Sequence, residues 1–235
     1  MGETITIAAQ DGHELAAYRA VPANVETNGA RGGVVVVQEI FGVNIHIRDV
    51  CDRLAAAGFV ALAPALFDRL ERGVELDYDQ AGIARGRGLV EDLGFDNAIR
   101  DVWAAAKVVH PEGRAGVVGF CWGGSVAWLA NCRLCLTAAS CFYGRHIVNF
   151  LHETPRRPAI LHFGDKDPSI PLSDVDKIRS AFPELPVHLY PGAGHGFNCD
   201  RRADFHPDSA ELAWGRTLDL FREVMHWNHP ENPVT

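Results

Sequence analysis

The sequence lacks the features that would place it in a membrane, in a disulfide scaffold or on nucleic acid. No apolar run approaches the roughly 20 residues that a membrane-spanning helix needs. Six cysteines in 235 residues do not resemble a disulfide framework. The net charge of −8 gives no general attraction for a phosphate backbone. We therefore expect neither a membrane nor a nucleic-acid partner.

Targeting and metal-binding patterns are also missing. The first residues contain no basic segment followed by an apolar run, so we expect no secretory signal and a reducing, cytoplasmic location. The eleven histidines include no His-Glu-x-x-His pattern, and His226-x-x-His229 has no third ligand nearby. Cys132-x-x-Cys135 falls late in a predicted helix, where a packing role is favoured over redox chemistry. The sequence predicts no metal and no cofactor.

Short apolar segments alternate with segments of helical periodicity along most of the chain. Strands are predicted at 33–38, 59–63, 115–119, 138–142, 158–163 and 186–190, after an edge hairpin at 4–9 and 15–20; helices are predicted at 44–57, 95–109, 123–132, 173–182 and 209–227. This alternation predicts a mostly parallel, doubly wound sheet in one domain, residues 1–235. The polar, glycine-containing segment 67–94 breaks the alternation, and we interpret it as a partial cap.

One glycine-rich turn carries the main chemical signal. Gly119-Phe120-Cys121-Trp122-Gly123 follows an apolar run and precedes a helical segment, which is the setting of a Gly-x-nucleophile-x-Gly motif. Such a turn exposes its central side chain near the first N–H groups of the helix. Those groups favour a thiolate and later an oxyanion. The pattern therefore predicts Cys121 as a nucleophile.

A cysteine nucleophile needs a base and an orienting carboxylate, which in this fold type follow it in the order acid, histidine. Asp165 and Asp167 both follow the predicted strand 158–163, and the pattern alone does not separate them. His195 follows the predicted strand 186–190. All of these residues lie past the carboxyl ends of predicted strands, where open α/β sheets place their chemistry. We therefore predict a triad of Cys121, His195 and one of the two aspartates.

With these residues, the chain resembles the dienelactone hydrolase family of α/β-hydrolases, the carboxymethylenebutenolidases. The resemblance runs nearly end to end and includes Gln38-Glu39-Ile40-Phe41-Gly42, the turn at Cys121, Asp167-Pro168-Ser169-Ile170-Pro171 and Ala193-Gly194-His195-Gly196-Phe197. It implies the α/β-hydrolase fold, with helices on both faces of the sheet. It also favours Asp167 as the acid of the triad.

The resemblance implies further residues around the nucleophile. The backbone N–H groups of Ile40 and Trp122 are expected to form the oxyanion hole, and Glu39 is expected to approach the thiol. A carboxylate there disfavours the thiolate through like-charge repulsion and keeps the resting sulfur protonated. Alternatively, Glu39 complements the dipole of the helix predicted to begin near residue 44.

In the family, two arginines often hold a carboxylate of the substrate. Arg85 is the first candidate here, with Arg87 only two residues away. The family position for the second arginine holds Cys199, so that Arg202 or Arg201 is expected to substitute. Tyr143 is a further candidate for substrate binding.

The leading functional hypothesis is hydrolysis of a small lactone or enol ester, a carboxylate-bearing dienelactone above all, through a thioester on Cys121. The second hypothesis is a carboxylesterase or thioesterase of broader specificity that uses the same residues. Trp122, which is bulkier than the aliphatic residue common beside the nucleophile, and Cys199 favour that reading. A binding module without turnover is the third. The oligomeric state is left open between a monomer and a small homo-oligomer.

Overall fold

The computed structural model describes residues 2–23, 30–110 and 114–225. The pair His226 and His229, with the last residues of the predicted closing helix, lies outside these ranges. The strands are β1 Glu3–Ala8, β2 Glu14–Ala20, β3 Gly33–Val37, β4 Val60–Pro64, β5 Ala115–Phe120, β6 Ala139–Phe142, β7 Ala159–Gly164 and β8 Val187–Tyr190. The α-helices are α1 Ile45–Ala56, α2 Gln80–Val109, α3 Trp122–Arg133, α4 Leu172–Ala181 and α5 Pro207–Val224, and 3₁₀ turns span Leu66–Arg69 and Ile147–Phe150.

The strands form one sheet in the order β1-β2-β4-β3-β5-β6-β7-β8. Strand β2 pairs antiparallel with β1 and β4, and every pairing from β4 to β8 is parallel. The central strand β3, which reads Gly-Val-Val-Val-Val, is buried along its whole length, as expected of a parallel strand covered on both faces. The predicted doubly wound sheet and its edge hairpin are confirmed. The carboxyl ends of β3, β5, β6, β7 and β8 therefore meet at one edge.

Helix α2 differs from the sequence prediction, because it begins at Gln80 rather than near Phe95. The Asp79 side chain caps it by accepting a hydrogen bond of 2.7 Å from the backbone N–H of Gly82, and only Gly94, with φ 71° and ψ 167°, interrupts the helical backbone. Glycine lowers helix propensity, which is why the sequence pattern hid this first half. Gly86 is required by packing, since a Cβ there would lie 2.2 Å from the carbonyl oxygen of Ile40.

None of the helices in the described part of the chain combines the length and apolar character needed to cross a membrane. All six cysteines fall within the described residues, and none of them forms a disulfide.

A buried carboxylate on α2 is neutralised from the neighbouring 3₁₀ turn. The Asp101 side chain is fully buried, and Arg69 donates to both of its oxygens, at 2.7 and 2.6 Å. Burial raises the pKa of Asp101, although the pair with Arg69 opposes that shift. Arg69 also reaches Asp11 in the edge hairpin, at 2.8 Å. This guanidinium therefore ties the hairpin to the helix that covers the sheet.

We expect Arg69→Gln to lower the free energy of unfolding by about 3–5 kcal/mol, because it leaves the carboxylate of Asp101 buried without a cation. Urea denaturation followed by circular dichroism measures this loss. Arg100→Gln is the matched control, since Arg100 is partly exposed and pairs with Asp11 at 3.2 Å; its loss should stay below about 1 kcal/mol. Equal losses in the two variants would contradict the role given to Asp101.

Candidate active site

The turn after β5 holds Cys121 in a strained conformation. Its φ of 56° and ψ of −119° lie outside the usual regions for a residue with a side chain. The flanking glycines make the turn possible: a Cβ on Gly119 would lie 1.9 Å from the carbonyl oxygen of Gly123, and one on Gly123 would lie 2.3 Å from that of Gln38. The Cys121 side chain is thereby held at the N-terminus of α3, where backbone N–H groups face it.

Three side chains from the carboxyl edge of the sheet form a continuous line of hydrogen bonds. Asp167 Oδ2 lies 2.7 Å from His195 Nδ1, and His195 Nε2 lies 3.1 Å from Cys121 Sγ. The other oxygen of Asp167 accepts a hydrogen bond of 2.7 Å from the backbone N–H of Ser169. Asp165, the alternative acid, instead accepts from the backbone N–H of Gly192 at 2.7 Å and so braces the loop before His195.

The titration of His195 is governed by its two neighbours. Burial alone would lower its pKa, but the charge of Cys121 and the hydrogen bonds with Asp167 and Cys121 outweigh burial and raise the pKa to about 10. An imidazolium at neutral pH, facing a sulfur, is the partner that a thiolate requires. The geometry therefore places the sulfur of Cys121 beside a histidine that is held in its protonated form.

Cys121→Ser should lower the pKa of His195, because a serine hydroxyl stays neutral and removes the charge that opposes burial. NMR titration of the imidazole resonances measures this shift directly. Cys135→Ser serves as the control, since Cys135 is a free, exposed thiol, and it should leave the titration of His195 unchanged. An unaltered pKa in Cys121→Ser would assign the shift to Asp167 alone.

Glu39, just after β3, is buried and is paired with an arginine. Its Oε1 lies 3.3 Å from Nη1 of Arg202, whose guanidinium lies 5.9 Å from the ring centre of Phe41 and 5.6 Å from that of Tyr78. Among the described residues, Glu39 makes no hydrogen bond to Cys121, and its Oε2 has no hydrogen-bond partner. Arg202 thus compensates the charge of Glu39 beside the site.

A cavity of about 600 Å³ opens above Cys121. Its apolar wall consists of Ile40, Phe41, Ile83, Val90, Phe95 and Trp122, and its cationic groups are Arg87, Arg145 and Arg202. Trp122 forms part of this wall. Its buried ring packs against those of Phe67 and Phe95, at centroid distances of 6.2 and 6.1 Å. Glu91 and Asp204 also border the cavity, so that three arginines face two carboxylates there. The excess of positive charge suits a small, partly apolar molecule that carries negative charge.

Three sequence candidates for substrate binding do not line this cavity, and one of them, Arg201, pairs instead with Asp49 at 3.2 Å. Arg85 forms an ion pair with Glu71 on the surface, whereas Arg87 faces the cavity, because two residues along a helix turn the side chain by about 200°. Tyr143 is fully buried, with its ring centre 5.2 Å from that of His195. It therefore packs against the histidine rather than lining the cavity.

The sequence analysis missed Arg145 and His146, which line the cavity just past the carboxyl end of β6. The rule that placed His195 past β8 would have found them, since β6 ends at the same edge.

Proteins similar to this chain indicate a carboxylic ester hydrolase. A sequence profile described as the dienelactone hydrolase family matches residues 15–225. A protein of Synechocystis named "Putative carboxymethylenebutenolidase" is 36% identical, with 89% of this chain and 92% of that protein covered. A protein of the same name from Escherichia coli K12 is 34% identical, with 90% and 83% covered. The chain belongs to the dienelactone hydrolase family.

A solved structure shows the same architecture. The crystal structure of a protein named "Putative Dienelactone Hydrolase", from Klebsiella pneumoniae, superposes with a TM-score of 0.84 at 33% identity, covering 94% of this chain and 98% of that one. The mostly parallel sheet and the flanking helices are therefore those of the α/β-hydrolase fold.

Proposed function

We propose that this hydrolase opens a small lactone or enol ester bearing a carboxylate, with Cys121 as nucleophile, His195 as base and acid, and Asp167 as its orienting partner. The observation that carries the proposal is the line of hydrogen bonds from Asp167 through His195 to Cys121, at the floor of a 600 Å³ cavity. Nucleophile, base and orienting acid in contact are what covalent catalysis of ester hydrolysis requires.

In the first half of the reaction, the thiolate of Cys121 attacks the carbonyl carbon. The resulting oxyanion lies between the backbone N–H groups of Ile40 and Trp122, both of which border the cavity. The bond to the ring oxygen then breaks, and His195 gives its proton to the departing enolate oxygen. Because an enolate is a good leaving group, a sulfur nucleophile suffices. The product of this half is a thioester on Cys121.

In the second half, the neutral imidazole of His195 takes a proton from water. The hydroxide attacks the thioester carbonyl, and the thiolate leaves to restore the pair with the imidazolium. Asp167 keeps the imidazole in the orientation that both halves need, because it holds Nδ1 at 2.7 Å.

The cations around the cavity support an anionic substrate. Arg87 and Arg145 are exposed and form no ion pair with any described residue, so their charge is available to a carboxylate. Arg202 borders the cavity and also pairs with Glu39. A substrate carboxylate would compete with Glu39 for Arg202, so that binding would release Glu39 from this pair.

Segment 67–94 serves as the partial cap of this proposal. Ile83, Arg87 and Val90 on the first half of α2 all border the cavity, and the packing of Gly86 on Ile40 holds this half close to the site.

The free state of all six cysteines suits a reducing compartment, for which we propose the cytoplasm.

Arg87→Gln should raise KM for a carboxylated dienelactone about tenfold. This factor corresponds to the lower end of the free energy that a hydrogen bond to a charged group contributes. The KM for a neutral aryl ester should change little, because such an ester offers no anion to Arg87. Steady-state kinetics on both substrates, with Arg85→Gln as the matched control, make the comparison. A wild-type preference for the neutral ester would favour the hypothesis of a broader esterase. The aromatic wall of Phe95 and Trp122 is the observation that supports this second hypothesis.

A further inference from the structure

A second group of chemically reactive side chains lies next to Arg202, which pairs with one of its members. Glu39 follows β3, His46 lies in the first turn of α1, and Cys199 lies in the loop after β8. A carboxylate oxygen, a ring nitrogen and the sulfur of these residues all lie within 4.8 Å of one another, and the three side chains are buried. We call this group the rear cluster.

Two polar atoms of the rear cluster are unpartnered within the described part of the chain. Glu39 Oε2 and His46 Nε2 have no hydrogen-bond partner, although the two residues are only 1% and 2% exposed. Buried polar atoms of folded proteins are almost always paired, so that unpaired ones call for a ligand or a bound water. Two such atoms in one three-residue group point to a shared ligand.

The donor set narrows the identity of that ligand. A carboxylate, an imidazole and a thiolate are the ligand types that bind zinc and similar divalent transition metals. The neutral form of an imidazole such as that of His46 offers a lone pair to these metals. The thiol of Cys199 must lose its proton before it can bind a metal.

Neighbouring residues already hold two of the ligands in place. The hydroxyl of Tyr78 lies 3.4 Å from Cys199 Sγ and accepts a 3.0 Å hydrogen bond from Asn44 Nδ2. Arg202 occupies Oε1 of Glu39 and leaves Oε2 for a cation. Such outer contacts are typical of metal sites, where they orient the ligands.

The charges balance around a divalent cation. On binding, the S–H bond of Cys199 breaks, a bond from sulfur to the metal forms, and one proton leaves to solvent. The thiolate and the carboxylate of Glu39 then match the two positive charges, and the carboxylate of Asp204, 3.8 Å from Arg202, offsets that guanidinium. Binding should therefore strengthen as the pH rises.

A separate cavity supplies a route to the rear cluster. It has a volume of about 360 Å³ and is bordered by His46, by Asn198, by the guanidinium of Arg53 and by three carboxylates, those of Asp49, Asp200 and Glu211. The three carboxylates outnumber the guanidinium and attract cations toward His46, which is the member of the rear cluster that borders this cavity.

We propose that Glu39, His46 and Cys199 form a binding site for a zinc-like divalent metal ion, reached through the rear cavity. An ion there would neutralise Glu39 and hold it away from the thiol of Cys121.

Titration with Co²⁺ tests the proposal in a Cys121→Ser background, because the thiol of Cys121 and His195 form a competing pair of metal ligands. The chelator-treated protein should bind one Co²⁺ per chain, with the near-ultraviolet absorption of a bond from thiolate to Co²⁺. Adding Cys199→Ser should abolish that absorption. Tyr78→Phe should weaken binding about 10–100-fold, as loss of an outer contact does, while Cys132→Ser, which alters a buried thiol elsewhere, should change nothing.

His46→Asn and Glu39→Gln, which are close in shape to the residues they replace, should weaken Co²⁺ binding by more than about 100-fold, beyond the range for an outer contact. Circular dichroism of each variant verifies the fold. The proposal is overturned if the Cys121→Ser protein binds no Co²⁺, if the absorption survives Cys199→Ser, or if both His46→Asn and Glu39→Gln bind normally. Because no readout involves hydrolysis, failure here leaves the proposed reaction untouched.

Discussion

Cys121→Ala should reduce kcat for a carboxylated dienelactone by a factor on the order of 10⁶, the loss typical when the nucleophile of such a triad is removed. The cavity, the backbone donors and His195 all remain, so substrate still binds, but no atom is left to form the thioester. Stopped-flow kinetics and mass spectrometry of the acylated enzyme measure both the rate and the intermediate.

Cys135→Ala provides the control for this experiment, because Cys135 is exposed and lies outside the cavity. Its kcat should equal that of the wild type. Hydrolysis that survives Cys121→Ala at a comparable rate, or a thioester found on another cysteine, would remove Cys121 from the mechanism.

Asp167→Asn should lower kcat about 10⁴-fold, the effect of the same substitution in a related arrangement of nucleophile, histidine and aspartate. An asparagine keeps the shape of the side chain but loses the charge that supports the imidazolium of His195. It can also turn its NH₂ toward Nδ1 and impose the wrong tautomer. Steady-state kcat and its pH profile report the change, since the pKa of His195 should fall as well.

Asp165→Asn is the matched control, two residues away on the same loop. Asp165 accepts a hydrogen bond from the backbone N–H of Gly192, a contact that an asparagine oxygen can also make. Its kcat should stay within a few-fold of the wild type. If Asp165→Asn lost the larger share of activity, the assignment of the acid would have to be exchanged between the two residues.

The sheet could be predicted from the sequence because buried parallel strands appear there as short, continuous apolar segments. β3 and β5 are short, wholly apolar and bounded by breakers, and the glycines around Cys121 mark a turn that few other backbones need. Two aspartates after β7 could not be separated by pattern, because the choice depends on which one faces the loop of β8. That direction is a property of the folded chain, and there only Asp167 contacts His195.

The first half of α2 shows a different kind of limit. Glycines at 82, 86 and 88 weakened the helical pattern, so the side-chain directions of Arg85 and Arg87 could not be assigned from sequence. Tertiary contacts override that weak propensity here.

The rear cluster could not be predicted from the sequence either, because its members come from three distant segments and match no metal-binding motif.

The contact between Gly86 and the carbonyl of Ile40 has a consequence for attempts to redesign selectivity. Since the backbone of residue 40 also carries a proposed oxyanion donor, a methyl group at position 86 would push directly on the peptide that stabilises the transition state. Altered specificity is therefore better sought at Ile83, Arg87 and Val90, which border the cavity. Gly86 should be kept when this site is redesigned.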